Sequence, residues 1–367
     1  MAKHSLNVGV IGTSWWVESM YLPALVDHPL GRVTAICGRR KERAQQLANS
    51  WQIPNVYTDY QSLLDSGEVD ALIVATPNDS HHPITLAALD KEIHVLCEKP
   101  LALNYGQAQE MAEKAQEKGV TTMTPFTYRF MPTNRYIKEL LGTSYLGDPY
   151  HFDLRYYASY GRDPSYSWRF DKRVAGSGAL GDIGSHFLYL AYWFFGEVEE
   201  LSCTLQTVVG RPLDDPDGNR YIQADDAAFI TLKFKSGVVG RVTASTIALE
   251  TTKFGQVHLM EFHGSEGSLY SRVDWDNDQW VKGSRVGQDQ MKELPLPDHI
   301  WGDARSSQVH ATYKDIFRKQ EHMARQFVTA AAHAQPTSPD FADGAYVQKL
   351  VDTALQSNTT GKWTAVR

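Results

Sequence analysis

A chain of 367 residues exceeds one ordinary hydrophobic core and suits two domains. With 42% hydrophobic and 22% charged residues it reads as globular, which excludes a disordered chain. A net charge of -7, with no lysine- or arginine-rich block, excludes a nucleic-acid surface. Cys37, Cys97 and Cys203 are widely spaced and odd in number, which suits a reducing compartment and no disulfide framework or zinc site. No signal-type apolar segment precedes the first strand-like stretch, and the run Phe187–Phe195 is far short of the ~20 residues of a membrane span. A cytoplasmic protein without nucleic-acid or membrane partners is expected.

Over residues 1–124, short apolar runs alternate with helical patterns. Strands are expected at Leu6–Ile11, Val33–Cys37, Ala71–Ala75, Ile93–Cys97 and Thr121–Thr124, with a weak one near Val56. Helices are expected at Met20–Asp27, Lys41–Trp51, Tyr60–Ser66, Pro83–Asp90 and Tyr105–Lys118. Strands apolar throughout, separated by helices, predict a doubly wound parallel sheet with ligands at the carboxyl ends of its strands. Residues 125–367 are patterned differently. Tyr150–Tyr157, Glu200–Val208, Ala227–Phe234, Val238–Thr246, Val257–His263 and Gly267–Val273 read as longer strands, many alternating in polarity. Helices are expected at Thr133–Leu141, Asp182–Phe195, His310–His333 and Asp343–Ser357, and loops at Gly210–Gly218 and Leu294–Asp303. This second α/β domain therefore holds a large sheet with one solvated face.

The first strand leads into Gly12-Thr13-Ser14-Trp15-Trp16-Val17. A dinucleotide fingerprint places three glycines here, so that backbone can approach a pyrophosphate at a helix N-terminus. Gly12 matches, and Ser14 and Val17 stand at the other two glycine places. An ordinary strand–turn–helix has the same form; the βα units that follow in order favour the nucleotide reading. The second strand ends at Cys37-Gly38-Arg39-Arg40, without the carboxylate that binds an NAD ribose. Arg39 or Arg40 would pair with a 2′-phosphate, so NADP is favoured; Glu42 leaves NAD as the alternative. Thr76, Pro77 and Asn78 end the strand at Ala71–Ala75 as candidate cofactor contacts; His81 and His82 follow and read mainly as helix N-terminal residues, with contact to the ligand from His81 as the alternative.

Glu98-Lys99-Pro100 ends the strand Ile93–Cys97. A lysine beside a nicotinamide can hydrogen-bond a substrate hydroxyl and stabilise the alkoxide as hydride leaves. Proline restricts Lys99 to extended geometry, although a surface lysine at a strand end reads equally well. Asp182, His186, Tyr189 and Trp193 recur at spacings of 4, 3 and 4, on a stripe distinct from Ile183, Phe187, Leu190, Ala191 and Phe194. A carboxylate one turn from an imidazole can fix its tautomer and support the imidazolium after proton abstraction. A dipole-stabilised Asp beside a satisfied core histidine is the plainer reading of the same pair. No third ligand lies nearby for a metal. Tyr156, Tyr157, Tyr160, Trp168 and Arg169 form an aromatic stretch that could line a polyol pocket or an interface.

Together these residues resemble the glucose–fructose oxidoreductase / inositol dehydrogenase (Gfo/Idh/MocA) family. The landmarks are Ala75-Thr76-Pro77-Asn78, Cys97-Glu98-Lys99-Pro100, Tyr128-Arg129-Phe130-Met131-Pro132 and Gly178 to His186, with Phe262 to Gly267 and Asp343 to Gln348 later. Their order and spacing run through nearly the whole chain. The resemblance implies an N-terminal Rossmann domain and a C-terminal α/β domain with a large mixed, mainly antiparallel sheet, whose open face supports a homodimer or homotetramer. It implies NAD(P)-dependent oxidation or reduction of sugars, inositols or related polyols, with Lys99 at the hydride-transfer step and Asp182 with His186 as the proton-transfer pair. Gly12 to Trp16, Gly38, Arg39, Arg40, Thr76 to Asn78, His81, Glu98 and Lys99 are then expected at the cofactor. Arg129, Tyr157, Trp168, Arg169 and Tyr189 are expected at the substrate. Two departures stand out: the degenerate glycines at Ser14 and Val17, and Tyr189 where many members carry an acidic residue. The rival readings are a cofactor-binding regulator without turnover and a glycoside hydrolase that uses tightly held NAD.

Overall fold

The computed structural model describes residues 5–250 and 253–367. They form two compact units, one of residues 1–126 with 314–348 and one of residues 127–313 with 349–367.

The first unit is built on six parallel strands: β1 (Leu6–Ile11), β2 (Gly31–Cys37), β3 (Asn55–Tyr57), β4 (Ala71–Val74), β5 (His94–Cys97) and β6 (Thr122–Met123). Their order is β3-β2-β1-β4-β5-β6, so the chain reverses direction across the sheet between β1 and β4. That reversal opens the crevice in which such sheets bind nucleotides. β4 is buried at every position, as a strand covered on both faces must be. Helices Lys41–Trp51 and Tyr105–Lys118 have the expected bounds. The second starts where Asn104 Oδ1 accepts from Gln107 N at 3.0 Å and stops at left-handed Gly119. The expected helix Met20–Asp27 is instead a π turn, Val17–Tyr21, running into a short α-helix, Leu22–Leu25.

Residues 314–348 return to this unit, although the sequence boundary near 125 assigns everything beyond it to the second domain. Backbone and apolar packing explain the return. Thr124 N donates to Pro339 O at 3.1 Å, and Thr121 Oγ1 to Gln335 O at 2.9 Å. Phe341 and Ala345 join the apolar cluster of Val74, Val95, Leu101 and Met111. The single expected helix His310–His333 is two, Val309–Arg318 and Ala324–Ala332, broken where Met323 takes a positive φ of 49°.

The second unit holds nine strands. They are β7 (Pro149–Ala158), β8 (Val198–Gln206), β9 (Ala227–Phe234), β10 (Val239–Ser245), β11 (Gln256–Gly264), β12 (Gly267–Asp274), β13 (Gln279–Arg285), β14 (Lys292–Glu293) and β15 (Thr364–Ala365). Their order is β14-β13-β12-β11-β7-β10-β9-β8-β15; β7 and β10 are parallel and all other neighbours antiparallel. Helix Ser185–Phe195 covers one face: Phe187 packs on Tyr156 with ring centroids 5.2 Å apart, and Phe195 stacks on Phe152 at 4.8 Å. The other face carries Phe229, Val239 and Arg241, which are exposed.

Candidate active site

In the first unit the ends of β1, β2, β4 and β5 converge. Gly12 turns with φ +130°, and a Cβ there would lie 2.3 Å from Ala75 O, so only glycine lets the β1 turn lie against the end of β4. Gly38 is pressed on Thr13 in the same way: a Cβ would meet Thr13 Cγ2 at 2.5 Å. Ser14 Oγ accepts from Val17 N at 3.4 Å, beginning the helical turn in place of the second fingerprint glycine. Trp15 is exposed, while Trp16 packs edge-on against Tyr21 at 6.3 Å. Arg39 and Arg40 are exposed, whereas Arg43 is engaged with Glu18 at 2.5 Å.

Lys99 stands just past β5, before a cis peptide bond to Pro100. Beside it, Glu98 Oε1 accepts from Tyr21 Oη at 2.5 Å and Oε2 from Lys99 N at 3.1 Å. Burial pushes the Glu98 carboxyl up, opposed by the Tyr21 hydroxyl and the Lys99 charge. Asn78 is buried after β4, and Thr76 Oγ1 accepts from Ser80 Oγ at 2.7 Å. His81 is the first residue of the helix His81–Asp90, in line with its reading as a helix N-terminal residue. It has no exposed surface, and its ring nitrogens lie 3.0 Å from Pro100 O and 3.0 Å from Thr76 O. The imidazole ties the β4 loop to the β5 loop, and burial pulls its pKa down.

In the second unit Asp182 lies in a π turn, Leu180–Gly184, that runs directly into the helix bearing His186. The Asp182 carboxylate accepts from Tyr160 Oη at 2.5 Å and pairs with Arg169 Nε at 3.3 Å. Arg169 in turn lies over the Trp168 ring at 4.6 Å. The His186 ring is buried against Tyr128, with centroids 4.5 Å apart. Behind it, Tyr128 Oη and Tyr156 Oη share a hydrogen bond of 2.7 Å, and Gln256 Nε2 donates to Tyr128 Oη at 3.1 Å. Burial raises the Tyr128 hydroxyl to about 12, and Tyr156 well above its ordinary value, with the Asp182 charge adding to both. These phenols therefore stay protonated as donors at neutral pH.

Arg129 donates from Nη1 to the hydroxyl of buried Tyr189, and its guanidinium lies over Trp193 at 5.2 Å. Tyr189 thus holds an arginine at the place where a carboxylate was the family expectation. Tyr157 does not join this group. Strand alternation puts Tyr156 on the helix-covered face and Tyr157 on the other, across from Ser245 of β10 and near Arg241. Tyr156 and Tyr160 come from the aromatic stretch and Tyr128 from the Tyr128–Pro132 landmark, whereas the contact of Tyr21 with Glu98 had no signal in the sequence. Among the described residues, no group of three or more His, Cys, Asp or Glu could hold a metal ion.

Residues 6–126 match the model of an oxidoreductase family with an NAD-binding Rossmann fold, and residues 134–270 match the GFO/IDH/MocA C-terminal domain. The chain belongs to the GFO/IDH/MocA oxidoreductases. Among members of this family, levoglucosan dehydrogenase of Pseudarthrobacter phenanthrenivorans is 28% identical over 99% of this chain and 98% of its own. D-glucoside 3-dehydrogenase of Escherichia coli is 26% identical over 98% of this chain and 97% of its own. A solved levoglucosan dehydrogenase in complex with NADH superposes with a TM-score of 0.87 at 27% identity, covering 99% of this chain and 100% of that one. The solved levoglucosan dehydrogenase thus shares the fold over nearly the whole chain.

Proposed function

We propose that this oxidoreductase oxidises a hydroxyl of a sugar, inositol or related polyol with NAD(P), or reduces the corresponding carbonyl. The observation that carries the reading is Lys99 at the end of β5 in a dinucleotide-binding sheet, in a chain whose second unit sets Asp182 and His186 on one helical segment. Levoglucosan dehydrogenase, D-glucoside 3-dehydrogenase and the solved complexes with levoglucosan or L-sorbose support a carbohydrate substrate.

The nicotinamide, when bound, supplies or accepts the hydride. Gly12, Thr13, Ser14, Trp15 and Trp16 would hold it at the first turn, and Thr76, Pro77, Asn78 and Glu98 at the ends of β4 and β5. Gly12 and Gly38, where a Cβ has no room, fit such a close backbone approach. His186 removes the hydroxyl proton, its ring steadied by Tyr128 and supported by the Asp182 charge. Lys99 stabilises the developing alkoxide as a fixed cation. Arg129, Trp168, Arg169 and Tyr189 contact the substrate through hydrogen bonds and aromatic faces.

NADP is our preferred cofactor. Gly38 offers no carboxylate to a ribose 2′-hydroxyl, and exposed Arg39 and Arg40 suit a 2′-phosphate. NAD is the second reading, favoured by the NADH in the levoglucosan dehydrogenase complexes. An Arg39→Ala/Arg40→Ala variant should raise the Kd for NADP by about tenfold or more while leaving that for NAD unchanged. Equal loss for both would assign the arginines elsewhere. Exposed Phe229 and Val239 on the uncovered sheet face support a homodimer or homotetramer, and three buried, unpaired thiols suit a reducing cytoplasm.

The test of the function is absorbance of reduced nicotinamide across sugars, inositols and their ketones. Wild-type enzyme should turn over one class, and His186→Ala should lose about two orders of magnitude or more. Near-wild-type turnover by His186→Ala overturns the proton-transfer assignment. Cofactor binding without turnover on any substrate favours a regulator.

A further inference from the structure

Two adjacent aspartates ahead of β9, Asp225 and Asp226, are 2% and 0% exposed and hold different partners. Asp225 accepts from Gly178 N and Leu180 N, each at 2.8 Å. Those amides open the segment that carries Asp182 and His186. Gly178 is so close that a Cβ would sit 1.9 Å from Asp225 O. Asp226 accepts from Val208 N at 2.7 Å and Val209 N at 2.9 Å, and pairs with Arg211 Nη1 at 2.7 Å. Neither side chain of that ion pair has exposed surface.

Arg211 reaches onward. Its Nη2 donates to Gly161 O at 2.6 Å, and its guanidinium lies 3.6 Å over the Phe170 ring. Gly161 follows Tyr160 and Phe170 follows Arg169, both partners of Asp182. The Asp225-Asp226 pair therefore holds the Asp182 segment from one side and, through Arg211, its partners from the other. A buried ion pair is generally no more stabilising than apolar groups of the same volume, so the geometry it imposes is the better reason for its presence.

We infer that Arg211, seated on Asp226, is a positioning residue for the proton-transfer pair: it aims Tyr160 and Arg169 at Asp182, while Asp225 fixes the segment that Asp182 belongs to. The loop from Val208 to Tyr221, unremarkable in sequence, thereby acts on the site from outside it. The inference rests on the dehydrogenase reading above.

Arg211→Lys keeps the charge and loses both the second arm to Gly161 and the flat stack on Phe170. In the full-length enzyme, kcat should fall by about 10- to 100-fold, with the nicotinamide Kd unchanged. The acid limb of kcat/KM should also move to higher pH, because Tyr160 and Arg169 favour the ionised form of Asp182. Groups that act on that carboxylate include Arg169 and the Tyr160, Tyr128 and Tyr156 phenols. A folded Arg211→Lys enzyme with wild-type kcat and an unmoved acid limb overturns the inference. If Arg211→Lys fails to fold, Tyr160→Phe combined with Arg169→Gln leaves the buried pair intact and decides: the same limb shift supports the inference, and an unmoved limb overturns it. Undiminished turnover by Asp182→Asn overturns the dehydrogenase roles and this inference together. An inactive Asp182→Asn beside an unaffected Arg211→Lys overturns the positioning role alone.

Discussion

Gly12 holds its backbone at φ +130° with the Ala75 carbonyl against the place of its missing side chain. Gly12→Ala must either open that contact or adopt a strained backbone, at about 1–3 kcal/mol. We expect a lower melting temperature and a nicotinamide Kd raised by at least about tenfold, read by quenching of tryptophan fluorescence. An unchanged Kd would mean that the β1 turn does not approach the cofactor. Gly12 was legible in the sequence because a glycine after an apolar strand has few other uses. His81 and Tyr157 were not legible in the same way. A histidine after Thr76-Pro77-Asn78 reads mainly as a helix N-terminal residue, which it is, but the two carbonyls at its ring come from loops that only the fold brings together. Tyr156 and Tyr157 are equivalent in composition, and strand alternation gives them opposite faces.

The helix over Ser185–Phe195 and strands β7 and β11 meet in an aromatic seam around His258. Its ring lies 4.3 Å from Tyr156, 4.6 Å from Tyr128 and 5.2 Å from Phe187, measured between centroids. Burial lowers its pKa to about 3. The native ring therefore stays neutral, while the unfolded chain takes up a proton below about 6.5. Stability from this site is complete above that pH and lost as pH falls toward about 3. The urea midpoint should drop more steeply between pH ~7 and ~4.5 for wild type than for His258→Gln. Parallel slopes would show that His258 does not set the acid sensitivity. The pattern of residues 182–195 foretold a buried helix with Asp182 near His186, and the helix is there. The π turn at Leu180–Gly184 was invisible, because one extra residue in a turn leaves hydrophobic spacing nearly unchanged.

Across the whole molecule the chain passes from one unit to the other at 126/127 and 313/314, and again at 348/349. Phe341, 1% exposed, fills the core of the nucleotide-binding unit from more than two hundred residues away along the chain. Phe341→Ala should cost about 3–5 kcal/mol and lower the urea midpoint at which nicotinamide binding is lost. A midpoint equal to wild type would show that the returning segment does not support the first unit. The sequence by itself determined the two sheets, the strand-end placement of Gly12 and Lys99, and the placement of Asp182 and His186 on one helical stretch. These follow from periodicity and turn chemistry within a dozen residues, where local sterics and burial act directly. Only the tertiary structure decided that 314–348 belongs to the first core, that His81 turns inward, and that Arg211 and Asp226 hold the partners of Asp182. Those outcomes depend on which distant surfaces share burial. The pairing of a buried charge or the filling of a core is a property of packed neighbours, and no window of sequence contains them.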